Sequence, residues 1–266
     1  MEGPVLNYQT LKFSIQGAVA TIELNRPDVR NAFNETAIAE ITEAFRAVDQ
    51  DEAVRAVVLS AAGSAFCAGA DLNWMKKMAD YSRDENLADA ATLAEMLRTI
   101  HACRKPVVAR VQGDCYAGGM GLVAAADIAV SAEGVNFCLS EVKLGLIPAT
   151  ISPYVIRAMG ESAARRYFLT AERFAASEAL RIGFVHAVCT SEELDATVHG
   201  IVSSLLAASP NAVAEAKRLL HHVAGAPLSQ ALIDDTVTRI ADIRASRDGR
   251  EGVQSFLQKR KPDWLI

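Results

Sequence analysis

The sequence predicts an α/β fold with parallel strands, followed by a helical C-terminal region. Three observations carry this expectation. In the first part of the chain, short apolar runs of strand character alternate with segments of helical period. The runs RAVVLS (55–60) and PVVARVQ (106–112) both lead into loops of small residues and glycine. After Pro148 the periodic segments are mostly helical and are punctuated by proline or glycine. The unit of strand, small-residue loop, helix and next strand recurs, but no repeat of fixed length is present.

Residues 11–16 and 19–24 alternate around Gly17 and read as a hairpin, closed by the turn Asn25-Arg26-Pro27-Asp28. Asn34 suits a helix cap, and Ala37, Ile38, Ile41, Ala44, Phe45 and Val48 recur at helical spacing behind it. A short buried strand at 55–60 ends in the loop 61–70, and a helix covers 85–103. Val107–Val111 is a second buried strand, followed by Gly118, Gly119 and Gly121, a small-residue helix, Asp127 and a further strand. Glu141 falls near the end of a third strand. Beyond Pro148, helices are expected over 161–169, 177–182, 191–208, 210–224, 228–246 and 250–258, with a final strand over 185–189. A soft boundary near 206 divides a core, 1–205, from a C-terminal helical region, 206–266. The later helices have apolar faces and no sheet to cover, which suits packing on another subunit.

The chain has 266 residues, 51% hydrophobic and 22% charged, which suffices for a large core. Net charge is −5 and the only basic block is Lys259-Arg260-Lys261, so nucleic acid is not an expected partner. The opening MEGPVLNYQT lacks a basic and an apolar region, so no secretory leader is expected. No apolar run approaches ~18 residues, so no membrane span is expected either. The five cysteines (67, 103, 115, 138, 189) form no C-x-x-C and read as buried hydrophobes in a reducing cytoplasm. The five histidines form no H-E-x-x-H, and no metal site is expected.

Four features carry candidate chemistry. Glycines before a helix expose N–H groups that can face developing negative charge. Gly119-x-Gly121-x-x-Ala124 fits a loose dinucleotide fingerprint, but residues 113–117 separate it from the strand and it falls mid-chain; a structural turn is the other alternative. The stretch SAFCAGADL (64–72) allows close backbone approach to a ligand, or is a tight turn with Asp71 capping the next helix. Glu141 lies among Cys138, Leu139, Val142, Leu144 and Leu146; apolar surroundings would raise its pKa toward acid–base work, unless Lys143 or an arginine pairs with it. Cys67 and Cys115 have no histidine near in sequence and are poor nucleophile candidates.

Several segments together resemble the crotonase (enoyl-CoA hydratase/isomerase) superfamily. They are Leu24-Asn25-Arg26-Pro27 with Asn31-Ala32, then SAFCAGADL, KPVVARVQG (105–113), AGGMGLVAAADIAV (117–130), FCLSEVKLGLIP (137–148) and FLQKRKP (256–262). The resemblance implies a spiral of repeated ββα units, C-terminal helices that build a trimer or a hexamer of stacked trimers, and an acyl-CoA thioester substrate. No separate cofactor is implied, because coenzyme A is part of the substrate. By analogy the N–H groups of Ala70 and Gly118 form an oxyanion hole for the thioester carbonyl. Arg30, Ala32, Ala68, Ala70, Asp71 and Leu72 would lie along coenzyme A, and Phe256 and Lys259 would reach it from a neighbouring subunit or the C-terminal segment.

Two catalytic glutamates are typical of hydratases of this superfamily. One matches Glu141; the other falls on Gly121, and the aspartate of the dehalogenase and dienoyl-isomerase branches falls on Ala149. Residues 145–174 resemble the methylglutaconyl-CoA hydratase branch of bacterial leucine and acyclic-terpenoid degradation. This leads to three expectations: Gly121 vacates space and removes a like charge beside a carboxylated acyl group; Glu141 handles the proton next to the thioester; and the product is a hydrated acyl-CoA. The alternative is a Δ3,Δ2-enoyl-CoA isomerase with the same single glutamate. Trp74, Met75, Met78, Tyr116, Ile147 and Tyr154 are candidates for the acyl pocket, and Arg157 or Lys76 for the distal carboxylate.

Overall fold

The computed structural model describes residues 7–265; the leader reading falls partly on residues 1–6, outside the described residues. The chain opens with the expected hairpin, β1 (Leu11–Gln16) and β2 (Val19–Leu24), then α1 (Glu35–Gln50), capped by Asn34, whose side chain accepts from Ala37 N–H. Three successive units follow. The first is β3 (Ala56–Ala61), β4 (Ala65–Cys67), α2 (Leu72–Met78) and α3 (Arg83–Ala102). The second is β5 (Val107–Val111), β6 (Asp114–Tyr116) and α4 (Gly118–Ala125). The third is β7 (Ile128–Ala132), β8 (Asn136–Cys138), a 3₁₀ turn at Glu141–Leu144 and α5 (Ser152–Thr170). Then come β9 (Phe174–Ala175), α6 (Ala176–Arg181), β10 (Ala187–Cys189), α7 (Leu194–Ala207), α8 (Pro210–Val223), α9 (Gln230–Ala245) and α10 (Arg247–Leu257).

Each unit gives its first strand to one sheet and its second to another. The larger sheet runs β1-β2-β3-β5-β7-β10, and every pairing beyond the β1–β2 hairpin is parallel. The smaller runs β4-β6-β8-β9, parallel except for β8–β9. This is the expected spiral of ββα units. The short strands β4 and β6 were expected only as loop and insert. At three residues each they show no usable alternation, and long-range pairing alone makes them strands.

Two other expectations need correction. Glu141 is not near the end of a strand: β8 stops at Cys138, and Glu141 opens the 3₁₀ turn. The helix expected at 161–169 begins at Ser152 and kinks at Gly160, the first of its two halves hidden by Pro153 in its opening turn.

The core is continuous between sheets and helices, with Phe45, Phe66, Phe137, Phe184, Leu59 and Met120 fully buried. The C-terminal helices attach to it through polar anchors. Lys217 on α8 is 7% exposed and donates to Asp127 Oδ2 (2.7 Å) and to the Lys105 carbonyl (3.2 Å). Arg55 donates to the Leu206 carbonyl (2.8 Å). Their outer faces carry exposed apolar groups, among them Leu220, Val237, Ile240 and Val253. No helix among the described residues is long and apolar enough to cross a membrane.

Candidate active site

The smaller sheet organises the site. Its three parallel strands end side by side, and a candidate residue follows each end. Ala70 lies three residues past β4, Gly118 two past β6 and Glu141 three past β8. Ligands in α/β folds gather outside the carboxyl ends of parallel strands, where chain direction turns loops and helix N-termini toward one crevice. The hydrogen bond from Ala117 N–H to the Cys138 carbonyl (2.8 Å) holds the second and third of these ends together.

Ala70 is held by a parallel bridge to Phe33. Phe33 N–H donates to the Gly69 carbonyl (2.9 Å), and Asp71 N–H donates to the Phe33 carbonyl (3.0 Å). These bonds use the peptide groups on either side of Ala70, which leaves the Ala70 N–H directed away from Phe33. Gly69 has φ +89°, and a Cβ there would lie 3.0 Å from Ala117 Cβ and 3.7 Å from Gly118 N. Only glycine allows both the turn and this approach of the two loops. The Phe33 ring also packs on Gly118, where a Cβ would fall 2.3 Å from Cζ. Among the described residues neither the Ala70 nor the Gly118 N–H has an acceptor. Gly118 opens α4, so its N–H also lies at the positive end of the helix dipole.

Glu141 meets the electrostatic expectation. Its Oε2 is buried without a hydrogen-bond partner among the described residues, and Lys143 does not pair with it. Burial raises its pKa, against the weaker opposing pull of its own backbone N–H. A desolvated, unpaired carboxylate is a stronger base than one in water, and its two oxygens can take a proton from one carbon and return it to another.

The coenzyme-side residues divide. Arg30 and Ala68 share a cavity of about 250 Å³ with Ser64, Ala65, Asp114 and Tyr116, and Ala68 N–H donates to the Arg30 carbonyl (3.0 Å). Leu72 is 74% exposed on the first turn of α2. Phe256 is exposed and Lys259 follows α10; neither lines that cavity. Three of the candidate residues make other contacts. The Asp71 carboxylate takes the capping role that the sequence offered as its alternative, capping α2, and also pairs with Arg26. Ala32 is buried, and its carbonyl accepts from Arg26. Gly121 is buried and vacates no space, because Ile151 fills it: a Cβ on Gly121 would lie 2.3 Å from Ile151 Cγ2.

Of the acyl-pocket candidates, Trp74 is buried with its Nε1 donating to Asp89 (3.1 Å), Tyr154 stands edge-on to His101, and Ile147 is exposed. Tyr116 donates its hydroxyl proton to Asp114 (2.6 Å). Arg157 and Lys76 are exposed on their helices. Cys67 and Cys115 are fully buried; burial pushes the Cys67 thiol up to about 12 and Cys115 well above its ordinary value, which makes both poor nucleophiles.

Three supporting residues were given no role from the sequence. Phe33 locks both loops. Asn31 has a left-handed backbone (φ +54°), is 3% exposed, and donates to the Ala62 and Ala65 carbonyls (2.7 and 2.9 Å) while accepting from Arg26 N–H (2.8 Å). Ile151 lies thirty residues from the glycine it covers. Only Asn31 had a local signal, since asparagine tolerates that backbone.

The comparisons give the class of protein to which this fold belongs. The model of the enoyl-CoA hydratase/isomerase family matches residues 14–265, and the chain belongs to that family. A crystal structure of an enoyl-CoA hydratase from Shewanella pealeana superposes with a TM-score of 0.94 at 44% identity, covering 96% of each chain. Pseudomonas aeruginosa AtuE superposes at 0.93 with 36% identity, covering 97% of this chain and 100% of its own. The mevalonyl-coenzyme A hydratase sidH of Aspergillus fumigatus is 32% identical over 252 residues, 92% of this chain and 91% of the relative.

Proposed function

We propose that this chain is an acyl-CoA hydro-lyase that adds or removes water across the 2,3-bond of an enoyl-CoA thioester. The observation that carries this reading is the arrangement of the Ala70 and Gly118 N–H groups and Glu141 after three adjacent strand ends. In the hydration direction water oxygen bonds to carbon 3 and the π electrons move toward the thioester. The two N–H groups stabilise the enolate oxygen, each worth about 3 kcal/mol of barrier. Glu141 delivers a proton to carbon 2, and the proton released by the water restores the carboxyl. Arg30 and Ala68 contact coenzyme A, with Leu72, Phe256 and Lys259 at its periphery. Residues 206–266 form the oligomerisation region of a homotrimer or of a hexamer of two trimers, and the exposed apolar faces of α8–α10 support it.

The narrower reading is methylglutaconyl-CoA or a related carboxylated enoyl-CoA. It rests on charge, since glycine at 121 leaves no second carboxylate to repel an acyl carboxylate. A second reading, Δ3,Δ2-enoyl-CoA isomerase, is favoured by the hydrocarbon that Ile151 places over Gly121. Product analysis with crotonyl-CoA, 3-methylglutaconyl-CoA and trans-3-hexenoyl-CoA tests all three. Hydration of the first two supports the main reading, and activity on none of them overturns it.

A further inference from the structure

We infer that Ile151 is the specificity-determining residue of this site: it holds water off the acyl chain and so sets the partition between hydration and double-bond migration. The inference rests on the proposed roles of Gly118 and Glu141. Position 121 lies three residues beyond Gly118 on α4, so the two share a helix face. A Cβ at 121 would meet Ile151 Cγ2 at 2.3 Å, Ile151 Cβ at 2.9 Å and Leu97 Cδ2 at 3.4 Å. Ile151 and Leu97 are 2% and 0% exposed. At Gly121 this turn of α4 therefore meets a wall of hydrocarbon contributed by α3 and the residue before α5.

A bound water needs about two to four polar partners. The side chains that meet Gly121 offer none. Ile151 is also poorly placed to move aside: its carbonyl accepts from Tyr154 N–H (3.1 Å) and Val155 N–H (3.0 Å), and its branched Cβ restricts χ1. Hydration requires an ordered water that bonds to carbon 3 and gives up a proton. Migration does not. Glu141 removes a proton from one carbon, the electron pair enters a dienolate held by the two N–H groups, and the same proton returns to the other carbon. No atom is gained or lost, and the carboxylate ends as it began. With Ile151 in place, this wall offers a hydrating water no partner, so the hydration proposed above draws its water from another side of the crevice, and removing Ile151 shifts the partition further toward hydration.

The test compares wild type, Ile151→Val and Ile151→Ala on trans-2-hexenoyl-CoA for hydration and trans-3-hexenoyl-CoA for migration, with products separated by chromatography. The expected result is a rise in the ratio of hydration to migration kcat/KM of about tenfold for Ile151→Ala, the scale of discrimination that one or two methylenes support. Ile151→Val moves it in the same direction by less, and carries the test if the alanine variant does not fold. A purely structural role lowers both rates in parallel; an unchanged or falling ratio overturns the inference. Glu141→Gln separates this failure from failure of the underlying reading. If that variant keeps both activities, the assigned site is wrong whatever Ile151 does.

Discussion

Arg26 Nη2 lies 2.8 Å from Asp71 Oδ2, and this pair joins the turn after β2 to the first residue before α2. Asp71 Oδ1 also accepts from Asn73 N–H (2.8 Å) and Trp74 N–H (3.4 Å). The carboxylate that the sequence offered both as a ligand contact and as a helix cap thus fastens the loop that presents Ala70. Burial opposes its ionisation, but the Asn73 N–H, the Arg26 guanidinium and the Trp74 N–H together hold its pKa below the ordinary value.

Asp71→Ala removes a helix cap and strands a half-buried guanidinium, so a loss of about 3 kcal/mol is expected in urea unfolding. Asp71→Asn keeps a capping oxygen and should lose less. Because the native pKa is depressed, this stabilisation is present above the unfolded value near 3.8 and is lost as pH falls through the native one. The acid-unfolding curves of wild type and Asp71→Ala should converge there.

Glu141→Gln should abolish turnover and yet stabilise the fold at neutral pH. The native pKa is raised by burial, so above it the folded chain bears the cost of an ionised, unpaired carboxylate. Between the ordinary and the native value the unfolded state binds fewer protons, so wild-type stability rises as pH drops through the native value toward the ordinary one. The gain in melting temperature of the glutamine variant should be full above the native pKa and shrink as pH falls toward the ordinary carboxylate value. A gain that does not shrink on acidification to that value contradicts the burial argument.

Gly118→Ala places a Cβ 2.3 Å from Phe33 Cζ, so either the ring or the start of α4 must move. The expected outcome is a fall in kcat of about 10²-fold, the scale of one lost oxyanion donor, with a smaller change in the affinity for butanoyl-CoA. Steady-state kinetics and calorimetry measure the two separately. An equal loss in both would mean that Gly118 shapes the binding crevice without stabilising the enolate.

Lys217→Ala leaves Asp127 without its ion-pair partner and removes the buried anchor of α8; about 3 kcal/mol should be lost. Limited proteolysis should then cut the variant between 206 and 230 faster than wild type. Lys217→Met, which keeps the stem, should lie between the two.

Much of the fold was legible locally. The hairpin around Gly17, the Asn34 cap and α1, and the buried strands β3 and β5 follow from period and turn chemistry, and they emerged with boundaries shifted by a residue or two. The short strands of the smaller sheet were not legible, because their identity lies in hydrogen bonds between segments about fifty residues apart, such as Ala65 with Asp114. The same sheet explains why Glu141 was misplaced by one element.

The chemical inventory was determined by sequence alone: a carboxylate in an apolar stretch, two glycine-bearing loops, and no carboxylate at 121. Residue types and local spacing suffice for that, since desolvation of Glu141 follows from its neighbours and backbone freedom from glycine. Only the tertiary structure decided which groups are spent and which remain available. Asp71 turned out to be occupied by Arg26, and the Gly121 space by Ile151. Packing fills a volume from whatever element passes by, and nothing in the residues around Gly121 records that the start of α5 passes there.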